Sequence, residues 1–285
     1  MGSSQAEGNR RPMRLFKRLL PIVGLTFSLA AGSTAYAASC SDPAGFPAWL
    51  ESYKTEAAAA GISQGTIDAA LGNVTYDRET ISHDRGQKVF KQSFEQFSAR
   101  MANAYRISKG KSLIKRYADV FSRIESQYGV PAPVIVAIWG LETDFGAFMG
   151  KFETIRSLAT LAYDCRRPDK FRAELTDALR IVQRGDMSPS SMRGAWAGEI
   201  GQTQFMPSSY IKYAVDFDGS GRRDLVHSVP DVLASTAKYL QGYGWQAGAG
   251  WDPGEANFAV IQQWNASAVY SRTIALLADK IAGTK

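Results

Sequence analysis

The stretch that predicts the centre of the fold is PAPVIVAIWGLETDFG, residues 131–146 of a 285-residue chain. Its two prolines suit a helix start, and the run that follows them makes the helix apolar on most of its circumference. A helix that is apolar all round is buried in a protein core. Gly146 offers a stop, so Glu142 falls near the last turn, where a core helix can emerge into a cleft.

The placement of Glu142 indicates a candidate catalytic acid. Burial disfavours the charged form of a carboxyl group and raises its pKa, which a general acid working near neutral pH requires. The alternative is a helix-end glutamate that reaches solvent or pairs with a base, and this stretch alone leaves both interpretations open.

The first 37 residues predict a secretory signal peptide. They contain five basic residues, a short apolar stretch over residues 19–31 and the cleavage pattern Ala35-Tyr36-Ala37. An uncleaved anchor is the alternative, although the apolar stretch is short for a membrane span. We therefore expect a mature chain of residues 38–285 that is exported to the periplasm, is not transmembrane and is a monomer.

The charge of the mature chain argues against a nucleic-acid partner. The whole chain carries a net charge of +6, of which residues 1–37 contribute +4, which leaves +2 for the rest. No stripe of lysine or arginine remains that would track a phosphate backbone. The two histidines, His83 and His227, are too few for a Cys/His zinc cluster, and they exclude a Ser-His-Asp site unless one of them is the base.

Two cysteines, Cys40 and Cys165, remain in the mature chain. In an oxidising compartment, two thiols and no others predict one disulfide that closes a long loop. Two unpaired thiols, or a lipid-modified Cys40, are the alternatives.

The mature chain has a helical pattern nearly throughout, so the predicted fold class is mainly α with at most a small sheet. Apolar periodicity predicts helices over residues 46–60, 66–71, 87–106, 112–128, 154–164, 168–183, 208–214, 230–242 and 267–282. The glycine-rich stretch 242–254 is the longest irregular segment, and we expect it to form the wall of a groove.

A second informative segment is GEIGQTQFMPSSY, residues 198–210. Its glycines allow close backbone approach, Gln204 can donate and accept hydrogen bonds, and Phe205 offers a flat face. Taken alone, the segment fits a buried turn as well as it fits a binding groove. Glu199 adds a second carboxylate, for which surface exposure is the preferred interpretation.

Together the two segments resemble the lytic murein transglycosylases of the membrane-bound lytic transglycosylase B type. The shared patterns are Glu-Thr-x-x-Gly at the end of an apolar helix and, further along, Gly-x-x-Gln-Phe-Met-Pro-Ser-Ser; the resemblance covers residues 45–283. It implies a lysozyme-like, mainly helical fold without an organic cofactor. It also implies cleavage of the β-1,4 bond between N-acetylmuramic acid and N-acetylglucosamine in peptidoglycan glycan strands, with a 1,6-anhydromuramoyl end as product.

The resemblance also assigns residues to roles. Glu142 matches the single catalytic acid and base of the family, and the matching substrate-binding residues are Gln204, Phe205, Tyr239, Asn265 and Tyr270. Trp264 stands where a tyrosine is usual, which puts its role in doubt, and Ala195 stands where many relatives have a serine.

Hydrolytic glycosidases usually need two carboxylates. One acid is sufficient for a transglycosylase, because the muramic 6-hydroxyl attacks C1 in place of water. Asp144 lies two residues after Glu142 and so on another face of the helix. A hydrolysing muramidase assisted by Glu199 or Asp144 is one alternative function. A noncatalytic peptidoglycan-binding protein is the other.

A third segment, DFDGSGRRDLVHSVPD at residues 216–231, resembles an EF-hand-type calcium loop. Its oxygen donors at the EF-hand positions are Asp216, Asp218, Ser220, the Arg222 carbonyl and Asp224, while His227 occupies the twelfth position in place of glutamate. The family has a similar calcium site with a late carboxylate, which Asp231 matches. A turn without metal is the alternative.

Overall fold

The structure, a computed structural model, describes residues 42–86 and 92–284. In these ranges the chain forms thirteen α-helices and one small sheet, which confirms the mainly α class. In chain order the helices are α1 Phe46–Ala59, α2 Gln64–Leu71, α3 Arg78–Arg85, α4 Phe94–Met101, α5 Ala104–Arg116, α6 Ala118–Tyr128, α7 Ala132–Thr143, α8 Thr154–Tyr163, α9 Pro168–Gln183, α10 Pro207–Tyr213, α11 Val229–Gly242, α12 Phe258–Trp264 and α13 Ala268–Ala282.

The helix predicted at the centre of the fold, α7, is almost wholly enclosed. Ten of its twelve residues are buried, and the two exceptions are Pro133 in the first turn and Glu142 in the last. Helices α5, α11 and α13 pack against it, so its apolar side chains have partners on several sides. This arrangement explains why the sequence shows no polar stripe along α7.

The sheet has two strands, β1 at Phe152–Glu153 and β2 at Arg193–Gly194. They pair in an antiparallel manner, with Phe152 opposite Gly194. Because β1 follows the loop that leaves α7, the pairing brings the segment that begins after β2 back toward the end of this helix.

Capping residues divide segments that the apolar pattern predicts as continuous helices. The predicted helix over residues 112–128 is broken at Tyr117, whose φ of −110° and ψ of 30° are not helical. Part of the predicted helix over residues 87–106 lies outside the described residues. In the remainder, Ser93 caps α4 with a capping box and Asn103 caps α5. The apolar pattern reflects the spacing of apolar residues and contains no information on caps. It also fails to predict the short helices α3 and α12.

The glycine-rich stretch 242–254, which we expect from sequence to form the wall of a groove, lies mostly at the surface and is anchored by one buried residue. Trp245 is buried, and its Nε1 donates a hydrogen bond to the Gly129 carbonyl over 3.0 Å. The Asn257 amide donates to the carbonyls of Gln246 and Ala249, which closes the stretch on itself. Gly244, Gly248 and Gly254 have positive φ angles and serve tight turns at the surface.

Two expectations concern residues that the structure does not describe. The signal peptide, residues 1–37, and Cys40 both lie outside the described ranges. Within those ranges, no helix has both the length and the apolar character needed to cross a bilayer.

Candidate active site

A tight left-handed turn ends α7 and places the candidate acid. The helix ends at Thr143, and the three residues 144–146 then have positive φ angles of 53°, 62° and 84°. Positive φ is uncommon for residues other than glycine and has to be held by the surrounding packing. The Phe145 ring packs edge-on against Trp139 with 5.5 Å between ring centroids, and a Cβ atom on Gly140 would lie only 2.8 Å from that ring. The close contact fixes the end of the helix.

The Glu142 carboxylate is half-buried and is held by two aromatic donors from distant parts of the chain. Trp264 Nε1 donates to Oε1 over 2.8 Å, and the Tyr270 hydroxyl donates to the same oxygen over 2.9 Å. Burial raises the pKa of Glu142 to about 7, although both hydrogen bonds favour the charged form and so lower it. The negative charge of Glu199 adds to the increase in pKa. Glu142 therefore has the raised pKa that a general acid needs.

Glu142 opens into a cavity of about 470 Å³. The cavity lies between the end of α7, the segment after β2, and helices α9 to α12. Its lining residues are Glu142, Lys170, Ala195, Glu199, Gln204, Phe205, Met206, Ser209, Tyr239, Trp264 and Asn265. Rings, amides and a hydroxyl dominate this wall, which suits a sugar that offers flat faces and hydroxyl groups.

Gln204 lines the cavity, but its amide is bonded to the protein. Its Oε1 accepts from the Ala195 N–H over 3.1 Å, and its Nε2 donates to the carbonyls of Met149 and Gly201 over 3.0 and 2.7 Å. The backbone of Gln204 is left-handed, with φ of 53°. The side chain thus joins the loop after α7 to the segment after β2, and its contribution to binding is to shape the wall.

Three aromatic side chains make one face of the cavity. Phe205 lies 5.8 Å from Tyr239 and 5.5 Å from Trp264, measured between ring centroids. Tyr239 is oriented by its hydroxyl, which donates to the Gln263 carbonyl over 2.8 Å. The structure thus brings Phe205 and Tyr239 beside Glu142, as the resemblance implies. Trp264, whose role the sequence left in doubt, belongs to the same face and contacts the acid directly.

The remaining two predicted groove residues flank the start of α13. Asn265 lines the cavity, and its Oδ1 accepts from the Ser267 N–H over 2.9 Å. Tyr270 is not among the lining residues; it contacts Glu142 from behind. Burial raises the pKa of the Tyr270 hydroxyl well above its ordinary value, and the negative charge of Glu142 adds to this effect. Tyr270 therefore remains a hydrogen-bond donor throughout the neutral range.

The second carboxylate lies in the cavity and not on the open surface. Glu199 is half-buried, and its Oε2 accepts from the Ala197 N–H over 3.0 Å. Burial raises the pKa of Glu199. Asp144, in contrast, is not among the lining residues, and its carboxylate lies 3.2 Å from Arg106 Nε. The interpretation of Glu199 as a surface residue, which the sequence favours, is therefore wrong. Lys170 also lines the cavity, and no motif in the sequence indicates this position.

Gln202 is a buried connection that sequence reasoning did not identify. Its Oε1 accepts from Trp139 Nε1 over 2.9 Å, and its Nε2 donates to the Val226 carbonyl over 2.8 Å. Its backbone carbonyl accepts from the Thr143 hydroxyl over 2.5 Å. One residue thus ties the last turns of α7 to the segment that precedes α11.

Three carboxylates of the predicted calcium loop converge. One oxygen of each of Asp216, Asp218 and Asp231 lies within 4.8 Å of the others. Two oxygens bound to one Ca²⁺ ion at 2.3–2.6 Å are at most about 5 Å apart, so the three fit a shared ion. The Asp224 carboxylate is not part of this cluster: its Oδ2 lies 3.1 Å from His227 Nδ1, while its backbone N–H donates to Asp231 Oδ2 over 2.9 Å. The Ser220 hydroxyl donates to the Arg222 carbonyl over 3.3 Å.

Comparison with known proteins finds that the chain is similar to a family of transglycosylase domains. A family model described as "Transglycosylase SLT domain" matches residues 45–253. Membrane-bound lytic murein transglycosylase B of Escherichia coli K12 is 39% identical over 143 residues, which are 50% of this chain and 39% of that protein. The match therefore spans about two fifths of the length of this curated relative.

Two solved structures from Pseudomonas aeruginosa share the fold over most of the chain. SltB3 is 33% identical with a TM-score of 0.80, over 84% of this chain and 80% of SltB3, and was crystallised with NAG-NAM-pentapeptide and with NAG-anhNAM-pentapeptide. Soluble lytic transglycosylase SltB1 is 26% identical with a TM-score of 0.77, over 83% of this chain and 99% of SltB1.

Proposed function

Because the chain belongs to the transglycosylase SLT domain family, we propose that it is a peptidoglycan lytic transglycosylase. It cleaves the β-1,4 bond between N-acetylmuramic acid and N-acetylglucosamine and leaves a 1,6-anhydromuramoyl end. The observation that carries this proposal is Glu142, a carboxyl group with a raised pKa at the wall of an aromatic, sugar-sized cavity. A noncatalytic binding protein has no need of a desolvated acid.

Glu142 acts first as acid and then as base. Its proton passes to the glycosidic oxygen, and the bond from that oxygen to C1 of the muramic acid breaks. The carboxylate then takes the proton of the 6-hydroxyl of the same sugar, whose oxygen bonds to C1 and closes the anhydro ring. The Trp264 and Tyr270 donors stabilise the carboxylate between these two steps. Such proton transfer contributes about 10²–10⁴ in rate, and positioning in the cavity supplies the rest.

A hydrolysing muramidase is the second candidate, favoured by the presence of Glu199 in the same cavity. A second carboxylate can activate a water molecule, which would replace the 6-hydroxyl as the nucleophile. Mass analysis of muropeptides released from purified sacculi distinguishes the candidates. We expect 1,6-anhydro ends. Reducing ends would support the muramidase, and the absence of any release would support a binding protein.

The pH dependence of the rate should follow the protonation of Glu142. The free enzyme needs this carboxyl protonated, and its pKa is raised to about 7, so kcat/KM should fall as the pH rises through about 7. In Tyr270→Phe the fall should move to higher pH, because the lost donor stabilised the charged form. A pH series of kcat/KM tests both points, and a rate that stays constant to pH 9 would contradict the assignment.

We further propose that the loop at residues 216–231 binds Ca²⁺ as a structural ion. Asp216, Asp218 and Asp231 would hold it, and the loop precedes α11, which carries Tyr239 into the cavity. Calcium should therefore raise the melting temperature, because an ion that binds the folded state stabilises it. The double variant Asp216→Ala, Asp218→Ala should lose this increment, whereas Asp119→Ala on α6 should keep it. Equal melting curves in calcium and in chelator would reduce the loop to an ordinary turn.

We also propose that the chain is exported to the periplasm as a monomer and that Cys40 and Cys165 form a disulfide. The signal-peptide pattern and the two cysteines are the basis of these proposals. The cysteines are 125 positions apart, for which the chain-entropy model gives an upper stabilisation of about 4–5 kcal/mol. We expect reduction to cost about 2–4 kcal/mol of unfolding free energy. Two ion pairs, of Arg85 with Asp164 and of Arg166 with Asp84, still tie the turn at Cys165 to α3. Activity at low temperature should persist. Peptide mapping that finds both thiols free, or a lipid on Cys40, would exclude the bridge.

A further inference from the structure

Two side chains of opposite charge face the catalytic cavity in addition to the acid itself. Lys170 comes from the first turn of α9, and Glu199 comes from the segment between β2 and α10. Both line the cavity that Glu142 lines. Glu199 contributes to the raised pKa of Glu142 through its charge, but neither residue donates or accepts a proton in the transglycosylase steps described above.

These two charges line the same cavity but do not form an ion pair with each other. Burial raises the pKa of Glu199, and the positive charge of Lys170 offsets only part of this increase. Nevertheless, none of the ion pairs among the described residues includes Lys170 or Glu199. The Glu199 carboxylate receives hydrogen bonds only from the backbone, at Ala197 and at Glu199 itself, and the exposed Lys170 ammonium lies 5.5 Å from the centroid of the Phe171 ring. Both groups can therefore bind charges from outside the protein.

Three more deeply buried acids have charged or hydrogen-bonding partners. Asp84 and Asp186 are paired with arginines, and the Glu174 carboxylate accepts two hydrogen bonds from Ser208. Burying a carboxylate without such a partner costs free energy. The half-buried Glu199 therefore indicates a ligand that supplies a positive charge.

The backbone of the glycan strand offers no such charge, because both of its sugars are neutral. The charged part of peptidoglycan is the stem peptide, which carries free carboxylates and, at its diamino acid, an ammonium group. This peptide starts at C3 of the muramic acid, which is the ring that Glu142 attacks at C1. The stem must therefore leave the cavity over its rim, close to the catalytic acid.

We propose that Lys170 and Glu199 recognise the stem peptide of the cleaved muramic acid. The Lys170 ammonium binds a stem carboxylate, and the Glu199 carboxylate binds the stem ammonium. This inference rests on the proposed function, and it makes the enzyme selective for strands that still carry their peptides.

The test uses soluble glycan strands in three forms: with intact stems, with stem amines acetylated, and with stems removed. For the full-length enzyme, we expect KM to be about fivefold higher on stem-free strands than on intact strands, since partly exposed charge pairs contribute only modestly to binding. Glu199→Gln should raise KM on intact strands about threefold, and this increase in KM should disappear once the stem amines are acetylated. Lys170→Gln should raise KM on both stem-bearing forms. Lys111→Gln, at an exposed lysine on α5, is the matched control and should behave as wild type.

Equal KM values of the unaltered enzyme on all three forms would overturn the inference. So would a Glu199→Gln variant that is impaired as much on stem-free strands as on intact strands, because Glu199 would then act on the sugar or on Glu142. Failure of the proposed function has a separate signature, which is the absence of anhydro products from every form of the substrate.

Discussion

Replacing Glu142 by glutamine is expected to reduce glycan cleavage by about 10²–10⁴-fold while the protein remains folded. Glutamine has nearly the same size and shape, and its amide oxygen can still accept from Trp264 and Tyr270. It has no proton to give to the glycosidic oxygen. The loss should therefore appear in kcat as well as in kcat/KM, because the missing interaction belongs to the transition state.

The measurement is the rate of anhydromuropeptide release from sacculi, with circular dichroism to confirm folding. Glu51→Gln, an exposed glutamate on α1, is the control and should retain the full rate. If Glu142→Gln kept more than about a tenth of the wild-type rate, its loss would be too small for a general acid. The catalytic group would then have to be sought elsewhere in the cavity, with Glu199 as the next candidate.

The largest expected effect on stability is that of Gln202→Leu. This change leaves the buried Trp139 Nε1 and the Val226 carbonyl without their partner. Each unsatisfied group costs about 1–3 kcal/mol, so we expect the free energy of unfolding to fall by about 2–6 kcal/mol. Because the same residue ties the end of α7 to the segment before α11, the variant should also lose activity below its melting temperature.

Urea denaturation measures the first effect, and a muropeptide-release assay at low temperature measures the second. Gln241→Leu on α11 is the matched substitution at an exposed site, where the change should stay within about 0.5 kcal/mol. A Gln202→Leu protein as stable as Gln241→Leu would show that solvent or a neighbouring group satisfies both partners.

The part of this site that follows from sequence is the part encoded in one continuous segment. An unbroken apolar run allows only a buried helix, and a single acidic residue at its end must meet a cleft or be paired. For this reason the position of α7 and the place of Glu142 could be predicted. The helix stop was misplaced by two residues, because Asp144 adopts the left-handed conformation for which glycine is the usual choice.

The rest of the site depends on contacts between residues far apart in the chain. Trp264 and Tyr270 lie 122 and 128 positions after Glu142, and only the packing of α12 and α13 brings them to its carboxylate. Gln204 illustrates a second limit. Its residue type allows a substrate contact, but the left-handed backbone turns its amide toward three main-chain groups. Which partner an amide chooses is decided by tertiary structure and cannot be deduced from local pattern.

The two donors on Glu142 have a consequence for the identity of the acidic oxygen. In water, the two oxygens of a carboxyl group are equivalent and exchange the proton freely. Here both hydrogen bonds go to Oε1, so the protonated group has a fixed carbonyl oxygen and a fixed hydroxyl oxygen. Oε2 is therefore the atom that releases the proton and later receives one. The protein has made a symmetrical functional group directional, and a glycan strand can be cleaved only when its bridging oxygen approaches from the Oε2 side.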